Sequence, residues 1–351
     1  MKPTHIMDLP PSMGNPRNSE GAFLALKDGS ILFAYSKFIG ISSGDDSPAC
    51  ICALISRDNG ESFGEERVLA EPKEHGATNL MSVSLARIDK DTSALFYMVK
   101  HDFADARLVM RKSTDEGRTF GTARACVPHP GYFVCNNDRV VVLSNSRILV
   151  PCSYHRCLTE DSSSWDSFDG MGILRFFHSD DGGCTFRESR GFGCLTDPGQ
   201  RSGLQEPGVV ETRPGELIGW ARTGLGCQYT AVSRDDGETW TTFEKSRFTS
   251  PLSPMSMKKI PGTDLFAAVS NPVPGEGMFS RNPLVLDVLH PGEEKQGRRW
   301  VLEEDREAGF CYTAMHFTPD SLLLAYCAGT LRDQNPLTRL RITKIKLEDI
   351  L

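Results

Sequence analysis

Arg17, Arg222 and Arg281, with Glu206, Tyr312 and the adjacent Asp45-Asp46, are the residue types that hold an anion and move protons. A guanidinium fork matches a planar carboxylate and binds it through paired, charge-assisted hydrogen bonds. Carboxyl groups exchange protons with a reacting atom when they lie within reach of it. These residues are spread over almost the whole 351-residue chain. They can act together only if the intervening elements gather them.

The elements that could do so are repeats. Ser56–Phe63, Ser113–Phe120, Ser179–Phe186 and Ser233–Trp240 all read S-x-D-x-G-x-[ST]-[FW]. A recurrence of this kind signals a repeat architecture. In each copy Asp and Gly make a tight turn, Gly supplying the positive φ and Asp bonding nearby amides, and the terminal aromatic buries as a plug. A hairpin pattern recurs six times as well, over Ala22–Tyr35, Val83–Val99, Arg139–Cys152, Val209–Arg222, Lys258–Asn271 and Met315–Ala328. Six hairpins in 351 residues allow about 58 residues per unit, which suits a four-stranded blade. The expectation is an all-β, six-bladed propeller forming a single domain over residues 1–351. Gln296–Trp300 reads as a decayed fifth box. Leu340–Leu347 alternates as a last strand, and closure is expected to pair a strand near one terminus with the blade at the other.

This architecture sorts residues by face. In a four-stranded antiparallel blade, the 1–2 and 3–4 turns lie on one side, and the start of strand 1 and the 2–3 loop lie on the other. Hairpin turns and boxes therefore share a bottom face. The top receives Arg17, Asp45, Asp46, Asn137, Asp138, Arg139, His155, Glu206, Arg222, Arg281 and Tyr312. Arginines from blades 1, 4 and 5 thus point toward one place, together with carboxylates and a tyrosine.

On these residues the chain resembles the sialidase superfamily, whose Asp-box repeats form a six-bladed propeller. Gln205-Glu206-Pro207-Gly208-Val209-Val210-Glu211, ending at Trp220-Ala221-Arg222, resembles that family's Glu-strand-turn-strand-Arg segment. Tyr312-Thr313-Ala314-Met315, followed by Leu322–Tyr326, resembles its nucleophile segment. Arg17 stands at the first arginine's place, although Arg17-Asn18-Ser19-Glu20 lacks the usual Arg-x-Pro. The resemblance implies an exo-acting, retaining glycoside hydrolase for sialic acid or a related carboxylated sugar. Arg17, Arg222 and Arg281 would clamp the carboxylate. Tyr312 would be the nucleophile, avoiding the repulsion a carboxylate nucleophile would meet, with Glu206 as its base. Asp45 or Asp46 would be the acid/base, and Asn137, Asp138, Arg139 and His155 would assist binding. No cofactor or metal is implied.

Plainer roles stand beside these. Arg17 could form a surface salt bridge with Glu20, Arg222 and Glu206 a structural ion pair, and Asp138 and Arg139 a salt bridge beneath the site. The loop Thr159–Gly170, with Trp165 and Phe168, could be a mobile connection or could overhang the site. The scaffold could also serve another acidic sugar, by hydrolysis or elimination, or bind carbohydrate without catalysis. A net charge of −7 argues against nucleic acid as the main partner. No long apolar run suggests a membrane span. The start of the chain lacks a basic-then-apolar leader, and its 11 scattered cysteines suit a reducing cytoplasmic compartment.

Overall fold

Strands rich in apolar and β-branched residues are the dominant regular structure, and the only helical pieces among the described residues are four short 3-10 turns. The computed structural model describes residues 2–196, 201–290 and 297–351. All six expected hairpins form. Each contributes the first two strands of an antiparallel group, and further strands extend each group outward.

Group 1 runs Asn18–Ala25, Ile31–Phe38, Ala49–Ser56 and Gly64–Ala70, and group 2 runs Asn79–Arg87, Ser93–Lys100, Ala106–Ser113 and Arg124–Ala125. In group 3 the inner edge is split: Tyr132–Val134 and Val141–Val142 pair with different stretches of Ile148–His155, which continues to Ile173–Ser179 and Arg187–Gly193. Group 4 comprises Gln205–Arg213, Glu216–Arg222, Cys227–Ser233 and Glu244–Thr249, and group 5 Ser256–Lys259, Phe266–Ser270, Leu284–Leu289 and Arg298–Glu303. Group 6 takes Cys311–Phe317, Ser321–Cys327 and Leu340–Lys346, and its fourth strand is the N-terminal Thr4–Leu9. Groups 1, 2 and 3 are joined into one sheet only by the single parallel bridges Ala49–Asn79 and Ala106–Tyr132.

Burial falls from the inner strands outward. Ile31–Phe38 and Ser321–Cys327 are buried almost throughout, because both faces of their sheets are covered. The fourth strand Glu244–Thr249 has exposed and half-buried residues only. Apolar clusters fill the spaces between successive groups. One further cluster joins Ala314, Leu323 and Ile342 of group 6 to Phe33, Tyr35 and Leu54 of group 1.

The four S-x-D-x-G-x-[ST]-[FW] copies each link the third and fourth strands of groups 1 to 4. They share one hydrogen-bond scheme. In the first, Ser56 Oγ donates to Asp58 (2.8 Å) and accepts from the Gly60 amide (2.8 Å), and Asp58 accepts from the amide and hydroxyl of Ser62 (2.9 and 2.5 Å). Gly60 has φ 82°, and a Cβ there would lie 2.7 Å from Leu323 of group 6, so both conformation and space require glycine. The closing aromatics Phe63, Phe120, Phe186 and Trp240 each pack on the cluster shared with the preceding group, as expected of plugs. Of the decayed box, Gln296 lies outside the described residues, and Trp300 sits within Arg298–Glu303, opposite Leu286, rather than at a turn.

Candidate active site

The inner strands carry the device that aims the polar residues. In groups 1, 2, 4 and 6 the register slips between Ser19 and Ala22, Met81 and Ser84, Gln205 and Gly208, and Cys311 and Ala314. At each slip a non-glycine residue adopts positive φ: Glu20 at 56°, Ser82 at 58°, Glu206 at 47° and Tyr312 at 58°. Asp138, in the gap of group 3's inner edge, does the same at 56°. Such a backbone costs on the order of 1 kcal/mol or more per residue. A bulge bends the strand and re-aims a side chain. Repeated at the same place in four of the six groups, it turns Ser82 toward Glu20 and Tyr312 toward Glu206.

Tyr312, Glu206 and Arg222 form the centre. The Tyr312 hydroxyl donates to Glu206 Oε1 (3.0 Å), and Arg222 Nη1 donates to the Tyr312 oxygen (3.4 Å). Arg222 Nε lies 3.0 Å from Glu206 Oε2, an ion pair by distance that lacks the alignment of a hydrogen bond. The Arg281 guanidinium stands 5.4 Å from the centre of the Tyr312 ring, anchored by Cys311 Sγ (3.1 Å) and the Leu252 carbonyl (3.2 Å). Burial pushes the Tyr312 phenol above its ordinary pKa; Arg222 and Arg281 oppose this and Glu206 reinforces it. The phenol is therefore protonated at rest, with an acceptor and one cation at its oxygen and a second cation over its ring.

Arg17 sits under the adjoining wall, fully buried over the Phe38 ring at 4.4 Å. Its Nε donates to Ser19 Oγ (2.8 Å), Nη2 to Glu20 Oε1 (2.8 Å), and Nη1 to Asp45 Oδ1 (2.6 Å) and the Ser43 carbonyl (3.2 Å). The plain alternative of an Arg17–Glu20 salt bridge is thus realised, but buried. Glu20 is held on its other oxygen by Ser82 Oγ (2.8 Å). Burial raises the Glu20 carboxyl to about 7 despite Arg17. Burial also raises Asp45, but Arg17, Lys100 and Arg222 outweigh it and leave its carboxyl below the usual value.

His155 supports Glu206 at one remove. Its Nδ1 donates to the Asp169 carbonyl (2.8 Å), so Nε2 faces Ser153 Oγ (3.2 Å) as acceptor, and Ser153 Oγ accepts from the Glu206 amide (3.3 Å). Burial lowers His155 to about 4, so it is neutral at neutral pH. Asn137 Nδ2 ties the Gly21 and Tyr312 carbonyls together (2.9 and 3.1 Å). Asp138 and Arg139 are directed elsewhere. Asp138 binds Lys258 Nζ (2.7 Å) and the Met315 amide (2.9 Å), and Arg139 binds Ser256 Oγ (3.0 Å) and the Met255 carbonyl (2.7 Å). Asp46 is exposed on the Asp45 loop, near Lys100.

Lys100 is a site residue that sequence reasoning missed. Its ammonium reaches the Asp45 carbonyl (3.2 Å) and lies over Phe103, Tyr132 and Trp165 at 4.4, 5.2 and 5.3 Å. Trp165 and Phe168 thus pack the Thr159–Gly170 loop on Phe103 and Tyr132, beside Lys100. Ser82 was missed too. Its one sequence signal is a polar residue at an inner-strand start, the place Glu206 and Tyr312 hold in other groups.

The BNR repeat-like domain family matches residues 51–324. No curated protein sequence matches significantly. Among solved structures, the Hadza microbial sialidase Hz136 superposes with TM-score 0.75 at 16% identity, over 96% of this chain and 67% of its own. The NanB sialidase of Streptococcus pneumoniae gives 0.73 at 13%, over 99% and 71%. The intramolecular trans-sialidase of Ruminococcus gnavus gives 0.72 at 13%, over 99% and 98%.

Proposed function

Because the chain belongs to the BNR repeat-like domain family and has the sialidase fold, we propose that it is a six-bladed propeller in a single domain and an exo-acting glycoside hydrolase that removes terminal sialic acid or a related carboxylated sugar. The six antiparallel groups, their successive apolar clusters and the contact of group 6 with group 1 support the ring. The hydrogen bond from Tyr312 to Glu206, with Arg222 beside it, carries the chemical reading.

The residues divide the work as follows. Arg17, Arg222 and Arg281 hold the sugar carboxylate. Glu206 takes the phenol proton as the Tyr312 oxygen attacks the anomeric carbon. Asp45, protonated, gives its proton to the departing glycosidic oxygen. Water then attacks the glycosyl–tyrosine while Asp45 takes its proton, and the phenol re-forms with the proton held by Glu206. Two inversions leave the anomeric configuration retained. A phenol is a poor nucleophile at its ordinary pKa of ~10 and a worse one here, so a base and flanking cations are required.

Tyr312→Phe removes the attacking oxygen and leaves the ring. Hydrolysis of an aryl sialoside should fall by roughly 10³-fold or more, with the thermal transition unchanged within a few degrees. Turnover within tenfold of wild type would end the tyrosine mechanism. A panel of aryl glycosides of other acidic sugars identifies the acid.

A further inference from the structure

The carboxylate clamp is already occupied. A guanidinium has five N–H donors. In Arg17 one goes to Ser19, one to Glu20, and the two on Nη1 to Asp45 and the Ser43 carbonyl, which leaves at most one. A ligand carboxylate cannot make paired hydrogen bonds to Arg17 until a partner leaves. Ser19 and Glu20 are buried, and Glu20 is locked from its far side by Ser82. Asp45 is different: its side chain is 41% exposed.

Its backbone, by contrast, is pinned. Lys100 holds the Asp45 carbonyl, Asn79 Nδ2 holds the Ser47 carbonyl (2.6 Å), and the Gly40 amide donates to the Gly14 carbonyl (3.0 Å). A side-chain rotation about a fixed backbone is the least costly way to open Arg17. The rotating carboxylate would still face Lys100 and Arg222 as cations and Glu20, Asp46 and Glu206 as anions, with Tyr132 and Tyr312 in the walls.

We propose that Asp45 is an internal stand-in for the ligand's carboxylate, occupying Arg17 in the free protein and leaving it only when an anionic sugar takes its place. This rests on the sialidase-like reading and deepens it, because one contact then sets both substrate class and timing. A neutral sugar has no charge with which to displace Asp45. An anionic one frees Asp45 as it binds and takes away the cation that chiefly keeps it ionised. The freed carboxylate then takes a proton from the acid in the surrounding solution and is ready to give it to the leaving oxygen.

Removing the stand-in should make anions bind better, whereas losing an ordinary acid would leave binding unchanged or weaken it. Two probes, acetate and an unsaturated sialic acid, are titrated into the full chain and followed by the arginine side-chain NMR signals, with Arg17→Lys identifying Arg17. Asp45→Ala should bind acetate about tenfold more tightly than wild type, a gain of ~1.4 kcal/mol. Asp45→Asn should gain less, because its amide oxygen still accepts from Arg17. The methyl ester of the unsaturated sialic acid should gain nothing. Equal or weaker acetate binding by Asp45→Ala overturns the proposal. If acetate gains but the unsaturated sialic acid binds neither protein, the stand-in holds and the sialidase reading fails.

Discussion

Glu20 shows how one buried side chain sets a pH dependence. It is ionisable, fully enclosed, and bonded to both Arg17 and Ser82. Its carboxyl titrates at about 7 in the folded chain against 4.5 when free, burial being the largest cause. An acid whose folded pKa is raised binds more protons folded than unfolded. Its stabilisation is complete below about 4.5 and lost as pH rises through about 7. Wild type should therefore lose stability relative to Glu20→Gln between pH 5 and pH 8, by up to roughly 3 kcal/mol. Urea midpoints of both proteins at the two pH values measure it, and a difference that stays constant refutes it. Glu20 also marks how far the site could be read from sequence. Arg17, Glu206, Arg222, Arg281 and Tyr312 were legible because each stands at a strand start, a strand end or a 2–3 loop, places the repeat identifies. The Glu20–Ser82 and Lys100–Asp45 contacts were not, because each joins residues in different groups, 62 and 55 positions apart, that no local pattern relates. Asp138 and Arg139 were expected among the binding residues, yet their nearest partners are Lys258, Met315, Ser256 and Met255.

At the scale of elements, the box and the bulge divide the labour of each group. The box was legible in full: serine, aspartate, glycine and aromatic all perform the turn and plug roles their types suggest. What the sequence did not show is where each box rests. Glu116 of the second box binds Arg87 of its own group's hairpin (2.7 Å) and the Lys27 amide in the hairpin turn of group 1 (2.9 Å). Asn59 of the first binds Asp320 in the turn of group 6 (3.1 Å). Boxes thus fasten one group to the one before it, away from the tyrosine. Asp115→Ala removes the acceptor for the Thr119 amide and hydroxyl and for Ser113 Oγ. It should cost on the order of 1–3 kcal/mol of stability and leave kcat on an aryl sialoside within twofold. A large loss of kcat in protein shown to be folded would assign the boxes a part in the chemistry. The bulges were the less legible element. Tyrosine and glutamate rarely take positive φ, so no propensity rule would have placed Tyr312 or Glu206 there, and only tertiary packing holds them.

For the whole molecule, the decisive strand is the one donated by the other end of the chain. Thr4–Leu9 pairs with Leu340–Lys346, so the last group has its fourth strand only because the chain returns to its beginning. The alternation of Leu340–Leu347 foretold a closing partner, but which residues supply it depends on contacts across the full length of the chain. Asp8 grips Arg341 through both oxygens (2.9 and 3.0 Å), and Arg341 also reaches Glu303 of group 5 (3.0 Å), so one arginine ties the closing strand to two groups. Ile6, Met7 and Leu9 pack on the cluster shared by groups 6 and 1. Removing residues 2–9 would strip that cluster of three apolar side chains and leave the backbone of Leu340–Lys346 as an unpaired edge. The loss should be on the order of 3 kcal/mol or more. Asp8→Ala alone, which keeps the strand and breaks the ion pair, should cost about 1 kcal/mol. In the proposed ring the damage would spread, because groups 6 and 1 hold Tyr312 and Arg17 on opposite sides of the weakened joint. The truncated chain should therefore unfold at lower urea in a single transition and lose affinity for an unsaturated sialic acid before it loses its β-sheet signal. An unchanged urea midpoint would mean that the terminal strand only decorates the last group and that closure rests on the apolar cluster alone.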